Sequence, residues 1–391
     1  MAATEKGVWG LQEVRDKQLA SEWTYDAMDP HTLFAWGRDS QGELGLNYKA
    51  PSNAGSKSSP TQVGSNTNWA RAADGKESNQ SLAVKTDGTL WSWGYGNYGA
   101  LGQNNPAPRS SPIQIPGTTW SENISCGERF MIARKTDSTL WGWGANGDAM
   151  LAQNDKAAYS SPIQIPGTWA DAACGNKHAL GVKTDGTLWC WGDGDGGQLG
   201  DNSRTSRSSP IQVGSDTTWS KVIGSWFTNM AVKTDGTLWV WGNGDSGTLG
   251  QGDGGPSAYV SSPIQITGSF PTGGTGYTAS GGRYHNAFIN TSGELFITGS
   301  QPYGQLGDNS TVGKSSPVQV PGSYKFVVTG NDGTGAIKTD GTMWMWGSNE
   351  YGEVGKNDTN SGYSSPVQVG ALSDWATMGS AQLSFFGLKQ A

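Results

Sequence analysis

The chain has 391 residues, of which 60 are Gly and only 15% are charged, with a formal net charge of −7 and a pI near 5.0. That acidity excludes a nucleic-acid binder that works by phosphate neutralisation, because no Lys/Arg excess exists and no basic run exceeds two residues. No stretch approaches the length of a membrane span, and MAATEKGVWG lacks the apolar core of a secretion signal, so export by the usual route is not expected.

Residues 7–23, GVWGLQEVRDKQLASEW, read as an amphipathic helix. Val8, Trp9, Leu11, Val14, Leu19 and Trp23 form its apolar set, and Glu13 with Lys17 make an i,i+4 pair on the other side. The segment precedes everything repetitive in the chain, so residues 1–27 are expected to form a separate arm and residues 28–391 one domain.

From residue 33 onward a short aromatic strand ending in glycine recurs seven times: LFAWG at 33–37, LWSWG at 90–94, LWGWG at 140–144, LWCWG at 188–192, LWVWG at 238–242, LFITG at 295–299 and MWMWG at 343–347. The terminal glycines lie 57, 50, 48, 50, 57 and 48 residues apart, so one unit of about 50 residues has been copied along the molecule. A second marker keeps the same phase. Pro60, Pro112, Pro162, Pro210, Pro263, Pro317 and Pro366 each follow Ser-Ser, and Pro at the start of the strand there suits an edge or first position, where no ladder hydrogen bond is lost.

Within a unit, Asp87-Gly88 between two apolar runs signals a tight two-residue hairpin, which pairs Leu82–Lys85 antiparallel with Leu90–Trp93. Alternation along the aromatic strand places Trp91 and Trp93 on one face and Leu90 and Ser92 on the other. Both faces are fit for burial, bulky against slim. Stacking such sheets around an axis makes an all-β, seven-bladed β-propeller with about four strands per unit.

The first unit lacks its front half and the last lacks its back half. Strand 383–389 is therefore expected to pair with strand 32–36 and close the ring as one blade, which removes the exposed edges of an open array. Loss of the last ten residues should then cost the fold.

The order Gly-x-x-His/Phe, Leu-x-x-Lys-Thr-Asp-Gly-Thr-Leu-Trp-x-Trp-Gly and Tyr-Gly-x-Leu-Gly resembles the repeat of the regulator of chromosome condensation family over residues 28–391. That resemblance implies the seven-bladed propeller. It does not carry function, because the family's founding member is a nucleotide exchange factor whereas bacterial and viral relatives use the scaffold in many roles. The arm resembles short modules in structural proteins of bacteriophages. Such a resemblance implies a virion protein made in the host cytoplasm, attached to capsid or tail through the arm and contacting other virion proteins.

Chemistry is sparse. His31, His178 and His285 fall in separate units without a nucleophile pattern, and the three cysteines, Cys126, Cys174 and Cys190, lack metal-ligand spacing and read as reduced core residues. Asp193, Asp195, Asp201, Asp245 and Asp253 lack a calcium-loop ladder and read as turn residues. No enzyme activity, cofactor, metal, nucleic acid or membrane insertion is expected. Sixteen of the nineteen Trp occupy repeated blade positions, and Trp9, Trp23 and Trp226 stand outside the pattern.

Recognition is expected on the loops that interrupt the period, 47–58, 253–261 and 267–279, with Tyr48, Tyr259, Phe270 and Tyr277 as aromatic surface. A host-surface receptor or glycan, or homo-oligomerisation on a particle, would use the same loops. The alternatives are a bacterial protein-protein interaction propeller and a glycan-binding module.

Overall fold

The computed structural model describes residues 30–48, 53–73, 75, 79–252, 259–266 and 279–390. The arm, including Val8, Trp9, Leu11, Val14, Leu19 and Trp23, lies outside the described residues. Among the described residues the chain is all-β, with short 3-10 turns and no α-helix.

The strands form five four-stranded sheets and one of eight strands. In the eight-stranded sheet, two four-strand sets meet at a single pair, His31 opposite Trp69. Each set is an antiparallel meander that runs from an inner strand to an outer one. In the type unit these are Trp69–Ala72, Gln80–Lys85, Leu90–Gly94 and Arg109–Ile115. The other set of that sheet is built from both chain ends. Ser384–Gln390 pairs with His31–Gly37 in register from Ser384 opposite Gly37 to Gln390 opposite His31.

The hairpin forms where the Asp-Gly signal put it, but with a longer turn than two residues. Gly88 N donates to Lys85 O at 2.9 Å, Lys85 N donates to Thr89 O at 2.9 Å, and within the turn only Gly88, at φ +75°, is left-handed. This is a tight turn closed by a glycine bulge, which suits the strand twist as well as the two-residue loop does. The Asp has a separate task. Thr89 Oγ1 donates to Asp87 Oδ1 at 2.6 Å and accepts from Trp91 Nε1 at 2.9 Å, so the turn fixes the half-exposed Trp two residues later. The same relay recurs at Asp137-Thr139-Trp141, Asp185-Thr187-Trp189, Asp235-Thr237-Trp239 and Asp340-Thr342-Trp344. Lys85 completes it, its Nζ lying 4.2 Å from the Trp91 ring centre and 4.8 Å from that of Trp69.

The core lies between units. Trp143 packs among Leu82, Val84, Leu90 and Ile115 of the preceding unit, while Leu90 and its neighbours supply the slimmer face. Burying one such indole contributes on the order of 4 to 6 kcal/mol from area alone. The second Trp of the aromatic strand also donates its ring N–H backwards to the neighbouring unit: Trp93 to Glu43 O, Trp143 to Ala100 O, Trp191 to Met150 O, Trp241 to Gln198 O and Trp346 to Gln305 O, at 2.7 to 2.9 Å. Where LFITG replaces the Trp, Thr298 Oγ1 donates to Gly247 O at 2.8 Å. Trp36 donates to Glu353 O at 2.7 Å, which joins the first unit to the last.

A second cycle of bonds accounts for the Ser-Ser-Pro marker. Backbone N–H groups of Asn47, Asn104, Asn154, Asn202, Gly252 and Asn309 donate to Ser110, Ser160, Ser208, Ser261, Ser315 and Ser364 of the following unit, and Asn357 donates to Ser58. The prolines are not at strand starts, contrary to the sequence reading. Pro112 sits inside Arg109–Ile115, where the register shifts between Ser92 and Gly94, so an edge-strand bulge spares the missing N–H and turns the Ser carbonyl outward.

The inner strands touch in sequence. Trp69–Ala72 meets Trp120–Cys126, then Trp169–Cys174, Trp219–Gly224, Ala279–Gly281, Tyr324–Thr329 and Trp375–Ala381 follow, and the last returns to Trp69–Ala72. They enclose a central shaft. Hairpins between inner and second strands gather at one end of it, the mouth; the Asp-Gly turns gather at the other. His31 and Gln390 lie at the turn end, paired with one another and beside Trp69.

Candidate interaction site at the mouth of the shaft

The mouth is assembled from hairpins of the Gly-x-x-His type. Gly175 is required there because a Cβ would stand 2.0 Å from the His178 ring, which folds back over the loop. His178 Nε2 donates to Asn229 Oδ1 at 2.9 Å, and Asn229 Nδ2 donates to Gln198 O at 2.7 Å. His285 Nε2 likewise meets Thr334 Oγ1 at 2.9 Å. Burial holds the His178 imidazole below its ordinary pKa, against the Asn229 bond. Both histidines are struts between units.

Neighbouring loops are linked through their backbones: Glu128 N to Asn176 O, Asn176 N to Trp226 O and Trp226 N to Gly282 O, at 3.0 to 3.3 Å. This linkage positions Trp226, the Trp among the described residues that no blade position explains. Its ring lies 6.1 Å from that of Tyr284 with 14° between planes, and 5.5 Å from Phe227 at 48°. The Arg283 guanidinium lies 3.8 Å from the Trp226 ring centre and 4.8 Å from that of Tyr284. Trp226 is buried, whereas Phe227 is 38% exposed. Asp332, on the next hairpin, faces Arg283; burial raises its carboxyl pKa and the guanidinium opposes that rise.

A second polar group ties inner strands together. Asn123 Nδ2 donates to Asp171 Oδ1 at 2.5 Å and Val222 N donates to Asp171 Oδ2 at 2.8 Å, so one carboxylate bridges three units. Burial raises the Asp171 pKa, opposed by Lys221, Arg134 and Arg71. Arg134 stands in MIARKT where other units carry Val, Ile or Leu, a departure not singled out in the sequence.

Of the aromatic loop residues expected to bind, Tyr48 and Tyr259 are exposed, and Phe270 and Tyr277 lie outside the described residues. The two do not form one patch. Tyr48 stands beside Gly55 and Asp39, while the Tyr259 ring carries the Arg204 guanidinium at 4.1 Å. The acidic loops act as turns, as expected for Asp201, which accepts from Ser203 and pairs with Arg207 at 2.6 Å. Among the described residues no group of three His, Cys, Asp or Glu side chains could hold a metal ion.

Two family models described as the regulator of chromosome condensation (RCC1) repeat match the chain, one at residues 87–134, 185–232 and 235–289 and the other at 169–198. The matched units are similar to RCC1 repeats. A curated relative, human "Probable E3 ubiquitin-protein ligase HERC3", is 35% identical over 98 residues, which is 25% of this chain and 9% of that protein's length. Among solved structures, Prp20p from Saccharomyces cerevisiae, from a study of its binding to Gsp1p and histones, superposes with a TM-score of 0.81 at 19% identity over 93% of both chains. Yeast RCC1 (Prp20) bound to Kap60 gives 0.81 at 20% identity, covering 100% of this chain and 94% of that one. Human WBSCR16 gives 0.78 at 19% identity, over 92% and 99%. At these identities the likeness is one of fold: an RCC1-like propeller.

Proposed function

We propose that this protein is a non-enzymatic protein-interaction module, a seven-bladed RCC1-repeat ring latched where the chain ends meet, which docks a partner protein at the mouth of its shaft. The blade count is supported by the two cycles of inter-unit bonds, each of which returns from the last unit to the first. The observation that carries the function is Trp226. A Trp that blade packing does not explain, stacked with Tyr284 and Arg283 beside an exposed Phe227, has the composition of an interface hot spot. The yeast neighbour Prp20p was studied for its binding to Gsp1p and histones, which favours the same class of role.

Phe227→Asp should lose partners captured by the parent protein from its native host, with the fold intact because the side chain is exposed. Leu372→Asp, an equally exposed change at the turn end, should keep them. Capture lost with Leu372→Asp and kept with Phe227→Asp would refute the reading.

A virion appendage is our proposed setting for such a module, with the arm at the turn end holding a particle and the mouth facing away. Its support is the resemblance of residues 7–23 to bacteriophage modules and the entry of residue 30 at the turn end. Purified particles should contain the chain in fixed stoichiometry and exclude a form lacking residues 1–27; particles free of it would contradict the setting.

A further inference from the structure

We infer that the blade closed by the two chain ends is a pH-operated latch, which parts from its neighbours ahead of the rest of the ring once the buried carboxyls at its two joints ionise. Ser384–Gln390 and His31–Gly37 in that blade are joined by cross-strand pairing with no connecting turn, whereas the type unit is one continuous meander. A blade assembled in that way is the first candidate for local opening. The joints on either side of it use one loop pattern. In the loop that follows each aromatic strand, the seventh residue, counting the strand's terminal glycine as the first, is Glu43 on one side of the closing blade and Glu353 on the other, while the remaining units carry Ala, Met, Gln or Thr. The third residue is Asp39 in the closing blade, where the others carry Gly, Asn or Gln. Acids thus stand at these positions only beside the seam. The Glu353 carbonyl accepts from Trp36 Nε1 at 2.7 Å and the Glu43 carbonyl from Trp93 Nε1 at 2.8 Å, so both loops are themselves the joints.

Each joint buries a carboxyl oxygen that has no hydrogen bond, Asp39 Oδ2 on one side and Glu353 Oε1 on the other. An amide fits the same place. Asn146 Oδ1 accepts from Leu151 N as Asp39 Oδ1 accepts from Leu44 N, but Asn146 Nδ2 also donates to Asp155 O at 3.0 Å, which an ionised acid cannot do. Neighbouring charges do not make up the difference. Glu353 faces Glu350 and Asp332, with Arg38 and Tyr351 close by, and Asp39 faces Glu43 and Lys57. Arg38 is already engaged by Glu43 at 3.4 Å and by the side chains of Asn79 and Gln382. Burial pushes the Asp39 carboxyl from 3.8 up to about 6 and that of Glu353 from 4.5 up to about 7. Both keep in the folded ring a proton that the unfolded chain has released, so their support is lost as pH rises through those windows. The latch is firm near pH 5 and loosest above pH 7. Opening bares strand edges that closure had covered.

The test is amide hydrogen exchange of the full chain, read by mass spectrometry at about pH 5.5 and about pH 8.5 and corrected for the intrinsic pH dependence of exchange. Across that range, protection of 31–37 and 384–390 should fall at least about tenfold more than that of 188–192, a strand in a continuous blade. Asp39→Asn combined with Glu353→Gln should remove most of that excess. Gln305→Glu, which puts an acid at the joint where Gln305 O accepts from Trp346 Nε1, should add a pH-dependent loss of protection at 343–347. An equal fall in all three segments of the parent, an excess fall retained by the double variant, or 343–347 unchanged in Gln305→Glu would overturn the proposal. Should the double variant not fold, the parent and Gln305→Glu profiles decide the matter.

Discussion

Replacing Glu353 by Gln should stabilise this protein at alkaline pH and remove part of its pH dependence. Glu353 is 2% exposed on the loop whose backbone carbonyl takes the Trp36 indole, so it sits at the seam between the two ends of the chain. Its Oε2 accepts from Tyr351 N at 2.8 Å, but its buried Oε1 has no hydrogen-bond partner. Burial, reinforced by Glu350 and Asp332, pushes its pKa from 4.5 up to about 7, while bonds from backbone N–H groups pull the other way. The folded state therefore keeps a proton that the unfolded chain has already released. Stability falls as pH rises from 4.5 to about 7 and stays lowered above, by roughly 3 kcal/mol at full ionisation.

Gln removes that cost and keeps the acceptor. The fold already uses it, since Gln198 Oε1 accepts from Gly196 N at 2.7 Å and Gln305 Oε1 from Tyr303 N at 3.0 Å in the same loop position. It has its own cost, because Gln305 Nε2 is buried without a partner, which is worth about 1 to 3 kcal/mol. The net expectation for Glu353→Gln is a gain of up to roughly 2 kcal/mol at pH 8 and a loss of up to roughly 2 kcal/mol at pH 5, so the two pH profiles cross. Urea midpoints across that range would show it. Parallel pH profiles for parent and variant would refute the reasoning.

Other outcomes follow from the same structure. Removing residues 382–391 takes away the strand that buries Phe385, Phe386 and Leu388, each worth roughly 1.5 to 3 kcal/mol, and should leave a protease-sensitive chain without a cooperative melt; a folded truncate would contradict the seam. Trp143→Phe opens a void where the larger ring stood and leaves the Ala100 carbonyl without its indole donor, and should cost about 1 kcal/mol or more by denaturant titration. Cys126, Cys174 and Cys190 are buried, with the Cys174 and Cys190 thiols pushed up by burial, so a thiol reagent should find none at neutral pH until the protein unfolds. Thr187→Val should free the Trp189 indole from its relay and shift that ring's fluorescence, with a loss of about 1 kcal/mol.

The blades were legible because packing imposes a period. Two Trp at i and i+2 in LWSWG must share a face, and Asp-Gly must turn, so seven copies declare one unit whatever the loops contain. The pairing of 384–390 with 31–37 followed from two complementary half-units. The inter-unit bonds were only half legible. Leu-Gly-x-Asn at 44–47, 101–104, 199–202 and 306–309 carries the left-handed Asn that reaches the next Ser, but nothing local says where its N–H points.

The mouth was harder still. Trp226 announced itself by breaking the pattern, whereas Arg283 and Tyr284 lie 57 and 58 residues further on and gain meaning only when two hairpins are set side by side. Long loops with exposed Tyr48 and Tyr259 drew the sequence reading to the period breaks. The stack formed instead in hairpins of ordinary length.

The most direct test places a photo-crosslinking residue at position 227 and, separately, at position 372, in otherwise unaltered protein expressed in its native host. A mouth that docks a partner predicts a discrete protein adduct from 227 and none of the same mass from 372. Adducts confined to 372, or an identical pattern from both ends, would contradict it.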